Sequence, residues 1–420
     1  MASVKSGHAS VALLRHHGGN HGAPSHGEGH STEVSDHRNR GHAPRLPRLW
    51  HFSREYLLLL PLGASIALLW VNLAPESYFR TTFRLDFLVN DVAMVLFFGL
   101  IMKEVAEATA PGGVLHSWRR VMLPLVAALG LTILPALAYA IVVPVFDEPR
   151  VLEGWPMLFA VDLAFGYFIA QLIFGKHPVI PFFILLAIAA NALGIIALVA
   201  AGGGAHFRPE LLILMAASLA IAYVFRRMRV KSFWPYVLVA GPLSWCALYF
   251  SGFQPALALV PIVPFLPHAR RDPGFFVDAA PGAHDALSRF EVWCRHPAQI
   301  ALFFFGLVNA GVALKALYLG TWSLPLTMIV TRPVGLLVGV GVAVALRLHL
   351  PHGVTWRDIV VVGFISTIGF TMALFFATAA VGTGPTLSEL KMGALLSVAG
   401  AVAAFASAAV LRTGTLARRR

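Results

Sequence analysis

The sequence predicts an all-α polytopic membrane protein with about twelve transmembrane helices, and three observations lead there. Hydrophobic residues make up 58% of the 420 positions and charged residues only 12%, whereas soluble domains carry about 25% charged residues. The mean hydropathy is +0.74. The apolar residues are gathered into long runs with the charges between them, as burial of a backbone in lipid requires.

The run at 179–201 carries no charge, and it exceeds the roughly 20 residues that cross a bilayer as a helix. Near its centre stands one polar side chain, Asn191. A buried amide in lipid needs a hydrogen-bond partner, so Asn191 is expected to face other helices. Twelve such segments can be marked, at approximately 56–74, 86–106, 121–146, 155–175, 179–201, 209–225, 233–250, 255–267, 298–314, 321–346, 358–379 and 390–411. The eighth is short and contains Pro261, Pro264 and Pro267, so a tilted, kinked or only partly membranous segment is expected. The fourth carries Asp162 followed by Gly166, and the eleventh carries Ser366, Thr367 and Gly369. Interruptions at corresponding places in two halves point to a transporter site built from broken helices. Gly335, Gly339 and Gly341 in the tenth permit close helix approach.

Loop charge sets the expected orientation. Arg45, Arg48 and Arg54 precede the first segment, and Arg119 and Arg120 follow the second. Lys176, the group Arg226, Arg227, Arg229 and Lys231, and the group Arg270, Arg271, Arg289 and Arg295 mark every second loop after that, with Arg347 and Arg357 next. Arg418, Arg419 and Arg420 end the chain. The loops between hold less positive charge, as with Asp147, Glu148, Arg150 and Glu153. Both termini are therefore expected in the cytoplasm, in the inner (cytoplasmic) membrane. The same pattern accounts for the net charge of +12 without a nucleic-acid partner. Residues 1–53 form a histidine-rich cytoplasmic tail whose composition predicts disorder, 54–412 the transmembrane domain, and 413–420 a basic C-terminus. No cleavable signal peptide is expected. Cys246 and Cys294 lack metal-type spacing, and no regular ligand spacing marks the histidines. No metal site and no cofactor are expected.

Setting aside the two residues at either end of each segment, few ionisable side chains fall inside them: Asp91, Lys103, Glu104, Asp162 and Arg332. Each is costly there, so each needs a partner or a task. For Asp91, Lys103 and Glu104 the simpler reading is anchoring near the interfaces. Asp162 has two readings, neutralising the positive end of a half-helix or binding a cation. Arg332 has three: balancing half-helix C-terminal ends, pairing with Asp162, or binding an anionic solute.

The stretches FLVNDVAMVLFFGL (87–100), EGWPMLFAVDLAFG (153–166), LVNAGV (307–312), TRPVGL (331–336) and VVGFISTIGFTM (361–372) resemble the NhaA-type sodium/proton antiporter family in order, spacing and placement. The family is a known inverted-repeat transporter, and the likeness runs from about 54 to 412. It implies inverted repeats over segments three to five and ten to twelve, with the broken fourth and eleventh helices crossing. It also implies sodium ion and proton as ligands, a lipid bilayer as surroundings, and allows a homodimer. In the family, the fifth segment carries two adjacent aspartates that bind the cation and exchange protons. Those positions read Asn191 and Ala192 here. The tenth-segment lysine corresponds to Arg332, the fourth-segment aspartate to Asp162 and the threonine before it to Val161. A second-segment glutamate of the pH-responsive region falls on Ile101, and a histidine near the eighth segment on Gln254. The glutamate at the start of the ninth corresponds to Glu291, with the local register shifted by one.

The resulting expectation is a sodium/proton antiporter homologue of the inner membrane, not an enzyme, since no nucleophile–base pair or phosphate loop is apparent. Its ion-binding or transport residues are expected to be Asp162, Asn191, Arg332 and Thr367, with Glu291 and Lys103 as a cytoplasmic gate or pH-responsive pair. Two alternatives stand beside it: a transporter of an anionic or neutral solute recognised by Arg332 and Asn191, or a non-transporting membrane subunit.

Overall fold

Lipid admits only helices and closed barrels, and apolar runs of about 20 residues are the length of helices. The computed structural model describes residues 46–109, 118–146, 149–175, 177–202, 212–267, 285–314, 318–382 and 384–414. Every regular element among them is helical. The tail up to residue 45, residues 415–420, and Asp147, Glu148, Lys176, Arg270 and Arg271 lie outside the described residues.

In chain order, α1 (Leu46–Leu73) is followed by α2 (Pro75–Phe87), a π-helical turn (Leu88–Ala93) and α3 (Met94–Thr109). Next come α4 (Trp118–Val142), a 3₁₀ segment (Pro149–Phe159), α5 (Leu163–Phe174) and α6 (Val179–Gly202). α7 (Leu212–Arg227), a second π turn (Tyr236–Ala240) and α8 (Gly241–Phe250) precede α9 (Ala286–Asn309). α10 (Leu319–Ala345), α11 (Trp356–Ile365), α12 (Phe370–Ala380), α13 (Pro385–Leu396) and α14 (Gly400–Leu411) complete the bundle. Among the described residues, five helical stretches are long and apolar enough to cross a membrane, and up to seven when each bent pair counts as one span. The bent pairs are Arg150–Phe159 with Leu163–Phe174, at 53°, and Trp356–Ile365 with Phe370–Ala380, at 51°. These are the two segments whose sequence is interrupted.

The eighth segment is broken as its prolines led one to expect, and the ninth begins earlier than its apolar run. The eighth forms two short 3₁₀ pieces, Pro255–Leu257 and Val263–Phe265, because prolines remove the donors an α-helix needs. The ninth begins at Ala286, well before the apolar run at 298. Its first turns carry Arg289, Glu291 and Arg295, so a helix with one polar face is hidden from a search for apolar runs.

The helices sort into two sets. α4, α6, α10, α11, α12, α13 and α14 pack on one another, while α3 packs on α9 and α7 on α8. Glycine lets backbones touch within each set. A side chain at Gly339 would meet the Cα of Ala127 at 2.9 Å, and Gly130 and Gly335 face each other across the same α4–α10 contact. Gly341, by contrast, faces open space, so of the three glycines expected to form this contact only two do. Gly306 of α9 lies against Leu60 of α1, at 2.6 Å from its carbonyl oxygen to an added Cβ. Ile213, Val330, Val402 and Val410 are exposed, and apolar side chains on the outside are what a lipid-facing surface requires.

Candidate functional site

Breaking two helices at one depth leaves four half-helix ends to satisfy. Asp162 takes the two positive ends. As N-cap of α5, its Oδ1 accepts from the amide of Phe165 at 3.0 Å. Its Oδ2 accepts from the amide of Thr371 at the start of α12, at 2.9 Å. The Asp162 amide in turn donates to the carbonyl of Ile368 at 2.8 Å, fastening one break to the other. Arg332 takes the opposite ends. Its Nη2 donates to the carbonyls of Leu158 at 2.9 Å and Ala160 at 2.7 Å, and its Nη1 to the carbonyl of Ser366. Asp162 is 2% exposed and Arg332 fully buried.

A helix end carries roughly half an elementary charge. One carboxylate against two N-terminal ends, and one guanidinium against two C-terminal ends, leave the crossing close to neutral. Asp162 caps both half-helices, and Arg332 is bonded to the carbonyls at their C-terminal ends rather than to Asp162.

Asn191 is buried, as its position in the lipid-length helix requires. Its Oδ1 accepts from the Val161 amide at 3.0 Å and its Nδ2 donates to the Val161 carbonyl at 2.8 Å. An amide has both a donor and an acceptor, so it holds the broken stretch at both backbone groups. Ala192, the next residue, is exposed on α6.

A cavity of about 120 Å³ lies beside the crossing, with Asp162, Asn191, Tyr167 and Thr371 in its wall and Glu104 and Glu291 lining it as well. Walls are contributed by α1, α3 and α9 on one side and α5, α6 and α12 on the other. Lys103 bonds Glu291 at 2.8 Å, Glu107 at 2.8 Å and Glu104 at 3.3 Å. Its side chain is only 3% exposed. Lys103 and Glu104, read from the sequence as interfacial anchors, belong to an ion cluster in which Lys103 is buried and the glutamates are half-buried, and Glu291, singled out separately, joins it. Thr367 is brought to the break but off the cavity. Its hydroxyl donates to the Phe364 carbonyl at 2.7 Å, and its side chain fills the space over Gly400.

Sequence reasoning missed several residues. Thr371 and Tyr167 line the cavity. Gln171 lies one turn beyond Tyr167 and donates to its hydroxyl at 2.6 Å, an i,i+4 pair that helical spacing could have found. Lys391 on α13 contacts Asn309 at 3.2 Å; at the edge of its segment it reads as an ordinary interfacial lysine.

A helical membrane protein that breaks two helices at one depth, and commits an acid and an arginine to their ends, is built as a secondary ion transporter. The sequence profile of the family described as Na+/H+ antiporter 1 matches residues 58–411, and the chain belongs to that family. It is 36% identical over 368 residues to the Na(+)/H(+) antiporter NhaA 1 of Pelobacter propionicus, covering 85% of this chain and 96% of the relative. It is 38% identical over 354 residues to the Na(+)/H(+) antiporter NhaA of Geobacter metallireducens, covering 82% and 93%. Among solved structures, the sodium proton antiporter MjNhaP1 from Methanocaldococcus jannaschii at pH 8 superposes with a TM-score of 0.56 at 13% identity. That match covers 89% of this chain and 98% of the other, a likeness of fold. The chain is a sodium/proton antiporter homologue and an integral membrane protein.

Proposed function

We propose that this chain exchanges sodium ions for protons across the inner membrane through the cavity beside the crossing, with Asp162 as the carboxylate that meets the cation. The observation that carries the reading is the placement of Asp162 in the wall of a cavity also lined by Glu104 and Glu291. Acidic groups lining one route concentrate cations along it. Asn191 cannot titrate and Ala192 offers no ligand, so coupling rests on Asp162 rather than on a pair of acids in α6. Both termini lie in the cytoplasm, and the cavity opens there beside Lys103 and Glu291, a reading supported by the basic loops that flank those helix ends. The Lys103 cluster then serves as the cytoplasmic gate or pH-responsive group. A homodimer in the bilayer is the proposed assembly.

The test is sodium-driven proton flux in proteoliposomes. Flux by the native chain that disappears in Asp162→Asn supports the proposal; flux that survives the change removes Asp162 from the mechanism. A second reading, a scaffold that does not transport, is favoured by the commitment of both Asn191 amide groups and both Asp162 oxygens to backbone. It predicts no flux in the native chain and a gain in Asn191→Asp combined with Ala192→Asp.

A further inference from the structure

On the side away from Glu104 and Glu291, the cavity ends against two layers that join the two helix sets. The first is aromatic. Phe98 of α3 and Phe375 of α12 have ring centroids 4.4 Å apart, and each is 1% exposed. Their neighbours Phe97 and Met372 line the cavity, so this layer begins where the cavity stops. The second layer is polar. Lys391 of α13 donates to Asn309 Oδ1 at 3.2 Å. Asn309, at the end of α9, donates through Nδ2 to Asn90 Oδ1 at 2.7 Å, and Asn90 donates to Asp86 Oδ1 at 2.9 Å. On α9 the order is Leu302 in the cavity wall, then buried Phe305, then Asn309. At 1.5 Å per residue the polar layer lies roughly 10 Å beyond the cavity wall.

We propose that these two layers are the closed gate of the half-pathway on the far side, and that Lys391 is its latch. The proposal rests on the transport reading above. α13 packs with α10 and α12, whereas Asn309 and Asn90 belong to the other set. The Lys391–Asn309 bond therefore ties the two sets together opposite the side on which the cavity separates them. A chain of amides between a cation and an acid is costly in an apolar bundle unless it has a task. Asn90 sits in the π turn Leu88–Ala93, and such turns recur at functional sites. One hydrogen bond from a charged donor holds a contact by about tenfold or somewhat more, strong enough to close it and weak enough to open. Breaking it lets the aromatic layer part and admits water from the Asp86 end.

The experiment places a reporter, Leu302→Cys, in the full chain carrying Cys246→Ser and Cys294→Ala. A charged thiol reagent that does not cross bilayers is applied to vesicles of known orientation. With Lys391 present, labelling occurs from the Glu104 side and stays at background from the Asp86 side. Lys391→Met raises the far-side rate at least about tenfold, and Lys391→Arg, which keeps a donor, stays near background. Should Lys391→Met fail to fold, Asn309→Ala carries the same expectation. A folded variant of either kind, with unchanged melting and no faster far-side labelling, overturns the proposal. Sodium flux is followed in parallel: faster labelling without flux in the native chain removes the transport reading and leaves the gate standing.

Discussion

At Asn191 the amide bonds both backbone groups of Val161, at 3.0 and 2.8 Å. An aspartate there would keep the bond from the Val161 amide but, when ionised, could not donate to the carbonyl. Asn191→Asp is therefore expected to lower stability by roughly 1–3 kcal/mol at neutral pH, the cost of an unsatisfied buried acceptor. The sign follows from the proton: a protonated Asp regains a donor, so the loss should shrink as pH falls. Thermal unfolding in detergent across pH measures it, and a variant as stable as the parent at neutral pH would refute the clamp. Arg332 carries a larger share, since its removal strands three carbonyls. Arg332→Ala is expected to cost about 1–3 kcal/mol for each of them that finds no donor, and Arg332→Lys less, though a point charge cannot reproduce the fork. Folded yield and melting temperature rank the three.

Among the elements, α4 and α10 depend on contact between backbones. Gly339→Val would place carbon within 2.9 Å of Ala127 Cα and 3.0 Å of the Val126 carbonyl oxygen. Neither backbone atom can yield without parting the helices, so overpacking of roughly 1–3 kcal/mol or more is expected. Gly341→Val, with nothing within 4 Å, serves as the silent control. If both variants melt alike, the contact does not hold the pair together. α11 starts on a capping box, in which Thr355 and Asp358 each bond the other's backbone amide. Thr355→Ala should cost about 1 kcal/mol, read as a lower melting temperature with transport geometry intact.

For the molecule as a whole, the near-neutral crossing makes a specific demand. If Asp162 meets the cation, it must do so while capping two half-helices. Asp162→Asn then acts at once on transport and on the caps, and the two effects separate by measurement: flux reports the first, melting the second. A neutral amide at 162 can still accept from one of the amides of Phe165 and Thr371. Loss of flux is expected to be complete while the loss in stability stays within about 1–3 kcal/mol. Loss of both in proportion would make Asp162 a structural residue alone.

Much of this was legible from residues in order. Long uncharged runs determine a helical membrane protein because lipid offers a backbone no other partner. Asp162, and Ser366 with Gly369, marked the two breaks because an acid and small residues interrupt an otherwise apolar helix, whereas Gly166, read together with Asp162, lies inside α5. What the sequence left open at Arg332 were three partners for one charge, and only the fold brought it to Leu158, Ala160 and Ser366, residues far away in the chain. Only the fold, too, turned Asn191 into the cavity wall and Ala192 outward, gathered Lys103 with Glu291, and set Lys391 against Asn309. Hydropathy is a local property, written in each segment by itself; the pairing of buried charges is decided by which helices meet, and that is a property of the packed bundle.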